Sequence, residues 1–148
     1  MSSETLHFVA VSEKDGEALA QIRVEAMRES LIAVGRFDLE RAKKRFLDTF
    51  VVADTQALEI EGQRVGFFVL REYDDHLLLD HLYVLPDFQG RGIGTVVLES
   101  IFDRAKAEKK PIQLGALVGS RSNDFYRAHG FKLIGQDEFD NYYEWAVV

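Results

Sequence analysis

The stretch from Leu77 to Ala107 constrains this chain most. It opens with a largely apolar run, Leu77-Leu78-Leu79-Asp80-His81-Leu82-Tyr83-Val84-Leu85, long enough for a strand and stopped by Pro86. A loop follows with glycines at alternate positions, Gly90, Gly92 and Gly94. Next comes an amphipathic segment in which Ile93, Val97, Ile101 and Ala105 share one stripe, with Leu98 and Phe102 beside it. A strand, a glycine loop and a helix in that order suit a phosphate group. Glycine N–H groups approach an anion closely, and the first helical turn adds donors without intrahelical partners and the positive end of the dipole.

The rest of the chain frames that unit as a mixed α/β fold. Leu6 to Val11 reads as a strand, apolar on both faces and therefore expected in the interior of a sheet. Ser12 and Asp15 suit a helix start, and Ala18, Leu19, Ile22, Ala26 and Met27 recur at helical spacing to about Ser30. Asp38 suits the N-cap of a second helix, Leu39 to about Asp48, with Ala42, Phe46 and Leu47 on one face. Gln56 to Ile60 and Arg64 to Arg71 form a hairpin about Glu61-Gly62-Gln63, and His76 to Leu85 completes an antiparallel meander. After the helix from Gly92 to Glu108, Ile112 to Val118 should run parallel to the preceding strand, as a crossover connection requires. A short helix from about Ser120 to His129 ends at Gly130, and Phe131 to Ile134 pairs with Phe139 to Val147 in a C-terminal hairpin. With no linker, low-complexity tract or repeat, residues 1–148 read as a single domain.

Composition narrows the classes. No apolar run reaches the roughly 18 residues of a membrane span, and Met1-Ser2-Ser3-Glu4 lacks the basic and apolar regions of a secretory leader, so a cytoplasmic protein without a membrane partner is expected. The absence of cysteine removes disulfides, thiolate nucleophiles and thiolate metal sites. His7, His76, His81 and His129 show no ligand spacing, so no metal is expected. A formal charge of −7 argues against nucleic acid as a partner, although Arg36, Arg41, Lys43, Lys44 and Arg45 make a basic cluster. That cluster is either a solvated helix face or a positive rim near an anionic ligand.

Residue identities separate the phosphate loops. A Walker loop needs Lys followed by Ser or Thr after its last glycine, and none stands here. A dinucleotide fingerprint needs G-x-G-x-x-G; this spacing is one residue short and follows a meander instead of opening a βαβ unit. Gln89-Gly90-Arg91-Gly92-Ile93-Gly94 instead resembles the Q/R-x-x-G-x-G/A motif of the GNAT superfamily of N-acetyltransferases, which use acetyl-CoA. The flanking Leu82-Tyr83-Val84 and Pro86, the later Phe125-Tyr126 with Gly130-Phe131, and the order of elements resemble the same family.

The resemblance implies a GNAT fold with helices on both faces of its sheet, and direct acetyl transfer from acetyl-CoA to a primary amine in a ternary complex. It implies that amides from Gln89 to Thr95, with Gly90, Gly92 and Gly94, cradle the CoA pyrophosphate, with Arg91 as an added charge or a solvated residue. It implies that the backbone of Leu82 and Val84 bonds the pantetheine arm, and that a strand N–H between Leu79 and Leu82, aided by a bulge, stabilises the oxyanion. Tyr126 takes the position of the general acid that protonates the leaving sulfur. Many members carry an asparagine six or seven residues before that tyrosine; here Gly119 and Ser120 stand there, and Asn123 either caps the helix or touches the cofactor.

For the base, Asp80 shares strand parity with Leu82 and Val84, whereas His81 points to the other face unless a bulge intervenes. Glu25 and Tyr142 are more distant candidates. Met27, Phe37, Phe139, Tyr142, Tyr143 and Trp145 are candidate pocket walls or ordinary core. The rival from another class is a catalytically silent acyl-CoA-binding sensor. A homodimer could form through an exposed C-terminal strand.

Overall fold

The structure is a computed structural model that describes residues 5–35 and 37–147. Met1-Ser2-Ser3-Glu4, on which the leader argument rests, and Arg36 of the basic cluster lie outside the described residues. The elements run β1 (Leu6–Ala10), α1 (Gly16–Ala33), α2 (Leu39–Leu47), β2 (Thr55–Ile60), β3 (Gln63–Glu72), β4 (Leu77–Val84), α3 (Ile93–Glu108), β5 (Ile112–Leu117), α4 (Ser122–Ala128), β6 (Lys132–Gln136) and β7 (Asp140–Trp145). The strands order as β1-β2-β3-β4-β5-β7-β6. Pairing is parallel between β4 and β5, with Leu77 opposite Ile112, and antiparallel for β1 with β2, β2 with β3, β5 with β7 and β6 with β7. The expected mixed α/β sheet, its one parallel pair and its C-terminal hairpin are therefore present. No described helix is long and apolar enough to cross a membrane.

One difference concerns β1, which stands at the edge of the sheet and pairs with β2 alone. Its apolar residues on both faces do not signal an interior strand: their burial is only partial along its length.

The chain divides into two compact units, Met1–Val69 with His81–Thr95, and Leu70–Asp80 with Val96–Val148. In the first, Ser12 starts the α1 segment through a capping box. Its N–H donates to Asp15 Oδ2 at 2.7 Å, which closes the box on the 3-10 turn Glu13–Asp15 that leads into α1. Asp38 caps α2 as expected, accepting from the Arg41 N–H at 3.2 Å. The core gathers Leu19, Ala20 and Ile22 from α1, Phe46 from α2, and Ala57, Phe67 and Val69 from β2 and β3. Full burial of each large side chain stabilises by about 1.5–3 kcal/mol. The expected faces are only partly covered: Ala18 and Leu47 are exposed and Ala26 and Met27 half-buried, while Arg23 and Val24 of α1 are buried. The register of β2 against β3 shifts after the Leu58–Gly66 pair, so that Glu59 faces Arg64 and Val65 is the extra residue of a bulge.

In the second unit the predicted α3 stripe is buried at Val97, Leu98, Ile101 and Ala105, as are Ile112, Leu114 and Tyr143. Trp145 stacks on Phe102 with ring centroids 4.5 Å apart. Strand β6 ends the strand order and is exposed along its length, with Leu133 at 55% and Ile134 at 57%.

An ion-pair network ties the end of β3 to the end of α3. Glu72 accepts from Arg104 at 2.6 Å and from Lys110 at 2.8 Å, and Arg104 also meets Glu108 at 2.7 Å. The Lys110 ammonium first, then the Glu108 and Arg104 side chains, hold the Glu72 carboxyl down from 4.5 to about 2. A carboxyl lowered on folding contributes stability above its unfolded value and loses it as pH falls through its folded value. The wild type should therefore melt above Glu72→Gln at neutral pH. That gap should narrow below about pH 5 and close near pH 2. A gap that does not change with pH in thermal melts would refute this account.

Candidate functional site

The loop between β4 and α3 belongs to the first unit. A 3-10 turn at Pro86–Phe88 follows Leu85, and Gln89 then leads into the glycines. The Gln89 side-chain N–H donates to the Val84 carbonyl at 2.9 Å, which ties the loop back to its strand. Gly90 and Gly92 have φ of +78° and +82°, the left-handed region in which a Cβ is strained. No atom would lie within 4 Å of a Cβ at either position. Their glycine requirement in this structure is therefore conformational, and the space over them is open. Gly94 and Thr95 lie inside the first turn of α3, whose N–H groups lack intrahelical partners. The guanidinium of Arg91 lies 4.9 Å from the Phe88 ring centroid. Charge, open space and amide donors at one helix start suit a phosphate.

Strand β4 shows the parity expected of it. Leu77, Leu79 and His81 are buried, whereas Leu78, Leu82 and Val84 are half-buried and Asp80 is exposed. Asp80, the first candidate base, therefore stands on the more open face and not in a dry interior. Its side chain is 35% exposed and its Oδ2 lies 2.9 Å from Arg71 Nε. The ion pair offsets the cost of the charge there. His81 faces the other way and is only 8% exposed, with its ring 5.4 Å from that of Phe46.

A polar chain that sequence reasoning did not identify runs through this face. Arg23 of α1 donates from Nε to the Tyr83 hydroxyl at 3.1 Å, and His81 Nδ1 lies 3.0 Å from the same oxygen. Arg23 can only donate to this oxygen, while the tautomer of His81 decides whether Nδ1 donates to it or accepts its proton. The helical spacing of α1 gives Arg23 no role, and its partner Tyr83 stands sixty positions away, so no local signal marks it.

In the second unit, Tyr126 is buried on α4, its ring 5.2 Å from Phe125 and 5.6 Å from Phe131. The helix ends in a Schellman motif: the Phe131 N–H donates to the Tyr126 carbonyl and the Gly130 N–H to the Arg127 carbonyl, both at 3.1 Å. Asn123 is buried three residues earlier. Its amide N–H groups donate to the Leu117 and Ser120 carbonyls at 2.8 and 2.9 Å, and its oxygen accepts from the Tyr143 hydroxyl and Asn141 at 2.8 Å each. Its polar atoms thus join the turn before α4 to β7; it stands inside α4 and accepts no helix N–H, so it is not the helix cap that was one alternative.

The remaining wall candidates divide. Tyr143 and Trp145 pack within the second unit, Tyr142 and Phe139 are exposed, and the Tyr142 hydroxyl donates to Asp137. The basic residues of α2 are ion-paired in part, Lys43 with Glu17 and Lys44 with Asp48, both at 3.0 Å, as a solvated face would be. No group of His, Asp and Glu among the described residues could hold a metal.

Comparison with known proteins adds to this geometry. The Acetyltransferase (GNAT) domain family matches residues 47–133, which include β4, the glycine loop, α3 and Tyr126. Peptidyl-lysine N-acetyltransferase YjaB of Escherichia coli is 30% identical over 134 residues, covering 86% of this chain and 83% of the relative. The YjaB protein of Salmonella typhimurium is 28% identical with similar coverage. Among solved structures, the PaiA N-acetyltransferase of Thermoplasma acidophilum in complex with coenzyme A superposes with a TM-score of 0.78 at 18% identity, covering 96% of this chain and 99% of that one. An acetyltransferase of Thermus thermophilus superposes with a TM-score of 0.75 at 20% identity over 97% of this chain and 98% of that one.

Proposed function

The chain belongs to the GNAT acetyltransferases, and we propose that it moves an acetyl group from acetyl-CoA directly to a primary amine in a ternary complex, acting as one domain. The observation that carries this reading is the strand–loop–helix unit from Leu77 to Glu108, with left-handed glycines at Gly90 and Gly92 and open space above them, inside the residues that match the family. Bound acetyl-CoA supplies the activated acetyl thioester.

The chain's residues then divide the work. Amides from Gln89 to Thr95 hold the pyrophosphate, with Arg91 adding charge at the rim. Backbone groups of Leu82 and Val84 align the pantetheine arm as a strand aligns its neighbour. Backbone N–H groups between Leu79 and Leu82 stabilise negative charge on the acetyl oxygen. The amine nitrogen bonds to the acetyl carbon as the carbon–sulfur bond breaks. Tyr126 donates its phenolic proton to the departing sulfur, and Asp80 removes the proton that the amine loses.

The acceptor is a primary amine, with the ε-amine of lysine the first to test, because the relatives named above are peptidyl-lysine acetyltransferases. Their enzymatic names also favour catalysis over a silent acyl-CoA sensor.

Calorimetric titration with acetyl-CoA, NAD and ATP, followed by acetyl-CoA consumption with a panel of amines, tests the reading. Acetyl-CoA should bind and be consumed with at least one amine. Tight NAD or ATP binding without acetyl-CoA binding would overturn it.

A further inference from the structure

Helix α4 is seven residues long, and Arg121 before it offers no side-chain cap. Isolated helices shorter than roughly 12–15 residues are marginal in water, so contacts outside α4 must decide where Tyr126 stands. Backbone holds the far end, through the Schellman bonds from Gly130 and Phe131. At the near end the buried side chain that ties the helix to the sheet is Asn123, 5% exposed.

An asparagine amide carries two N–H donors and an oxygen with two lone pairs. Nδ2 donates to the Leu117 carbonyl at the end of β5 and to the Ser120 carbonyl in the turn, at 2.8 and 2.9 Å. Oδ1 accepts from the Tyr143 hydroxyl and from Asn141 Nδ2, at 2.8 Å each. Both donors and both lone pairs are thus spent on the protein, which leaves none for a cofactor. Asn141 and Tyr143 alternate along β7, so they share a face, opposite Ala116 and Leu114 of β5. One amide therefore joins α4, the turn before it and two neighbouring strands. A carboxylate has no donor for the two carbonyls, and a methyl group leaves four polar partners unmet. Tyr126 follows three positions later, on the same side of the helix.

Resting on the acetyltransferase reading above, with Tyr126 as its acid, we propose that Asn123 is a positioning residue for proton donation. It touches neither substrate nor cofactor. By tying the first turn of α4 to β5 and β7, it sets where the Tyr126 hydroxyl stands. A misplacement of about 1 Å in a reacting group costs up to roughly a hundredfold in rate.

Double-mutant cycles test this. We would measure kcat and KM by acetyl-CoA consumption, acetyl-CoA affinity by calorimetry, and melting temperature. The variants are Asn123→Ala, Tyr143→Phe and Tyr126→Phe, and each of the first two combined with Tyr126→Phe. Asn123→Ala should lose about tenfold or more in kcat, with acetyl-CoA affinity within about twofold of wild type. Tyr143→Phe keeps its ring and removes one of the bonds to Oδ1, so it should lose less. Neither should lower kcat further once position 126 is Phe, because groups that act as a unit are non-additive. A general loosening of the fold would lower kcat by the same factor in both backgrounds. If Asn123→Ala does not fold, the Tyr143→Phe cycle carries the test.

Three results would overturn this inference and leave the acetyltransferase reading standing. One is equal losses with Tyr and with Phe at position 126. Another is unchanged kcat in every folded variant at positions 123 and 143. The third is a fall in acetyl-CoA affinity that matches the fall in kcat, which would make Asn123 a cofactor residue. Unchanged kcat in Tyr126→Phe would remove the acid and its positioning residue together. No acetyl transfer by wild type to any amine would overturn the acetyltransferase reading itself.

Discussion

Tyr126→Phe should bind acetyl-CoA within about twofold of wild type and lose roughly a hundredfold or more in kcat, the low end of what a positioned general acid contributes. The substitution removes one oxygen and keeps the ring, so packing against Phe125 and Phe131 should survive. The backbone at this position is fixed independently of the hydroxyl. The Tyr126 carbonyl accepts the Phe131 N–H in the Schellman motif, and Asn123 ties the start of α4 to Leu117, Ser120 and Tyr143. A fall in kcat with unchanged melting temperature and unchanged affinity would isolate proton donation. Unchanged turnover would remove Tyr126 from the acid role, and a large fall in melting temperature would assign the hydroxyl to stability instead.

Tyr126 and Arg23 differ in how much of their surroundings a sequence can display. Tyr126 was legible because a local code surrounds it: a short helix, then Gly130 and Phe131, whose backbone bonds close within six residues. The α3 stripe was legible for a similar reason, since periodicity at one helix face needs no knowledge of its partner. Arg23 had no such code. It is buried because α2 supplies a carbonyl and β4 a phenol, and neither partner can be inferred from the α1 residues alone. Asp80 falls between the two. Alternation along β4 correctly gave its parity, but whether that face is covered depends on elements elsewhere, and its partner Arg71 comes from β3. Strand β1 failed the same way, because apolar residues on both faces indicate what could be covered, not how many strands stand beside it.

Gly66→Ala should destabilise the protein more than any conservative substitution on the surface. Glycine inside a strand marks close backbone approach, and here the approach can be measured. A Cβ at Gly66 would lie 2.2 Å from the Tyr83 carbonyl oxygen and 3.1 Å from the Val84 Cα. Both are backbone atoms, so no rotamer change relieves the clash and one strand must move. The Leu85 N–H donates to the Val65 carbonyl at 2.8 Å, which leaves little slack beside Gly66, and the bulge at Val65 has already used the local irregularity of β3. Overpacking of this kind costs about 1–3 kcal/mol when side chains can adjust, and more when backbone must shift. A loss of about 3 kcal/mol would lower the melting temperature by roughly 6–12 °C for a chain of this size.

The displaced segment is Tyr83 to Val84, which the proposed function assigns to the pantetheine arm and which also holds the phenol that Arg23 donates to. Acetyl-CoA affinity should therefore fall together with stability, measured by calorimetry at a temperature where the variant is still folded. A variant with wild-type melting temperature would show that β3 and β4 separate here at little cost. A destabilised variant with wild-type acetyl-CoA affinity would show that the backbone of β4 at Tyr83 and Val84 does not align the cofactor.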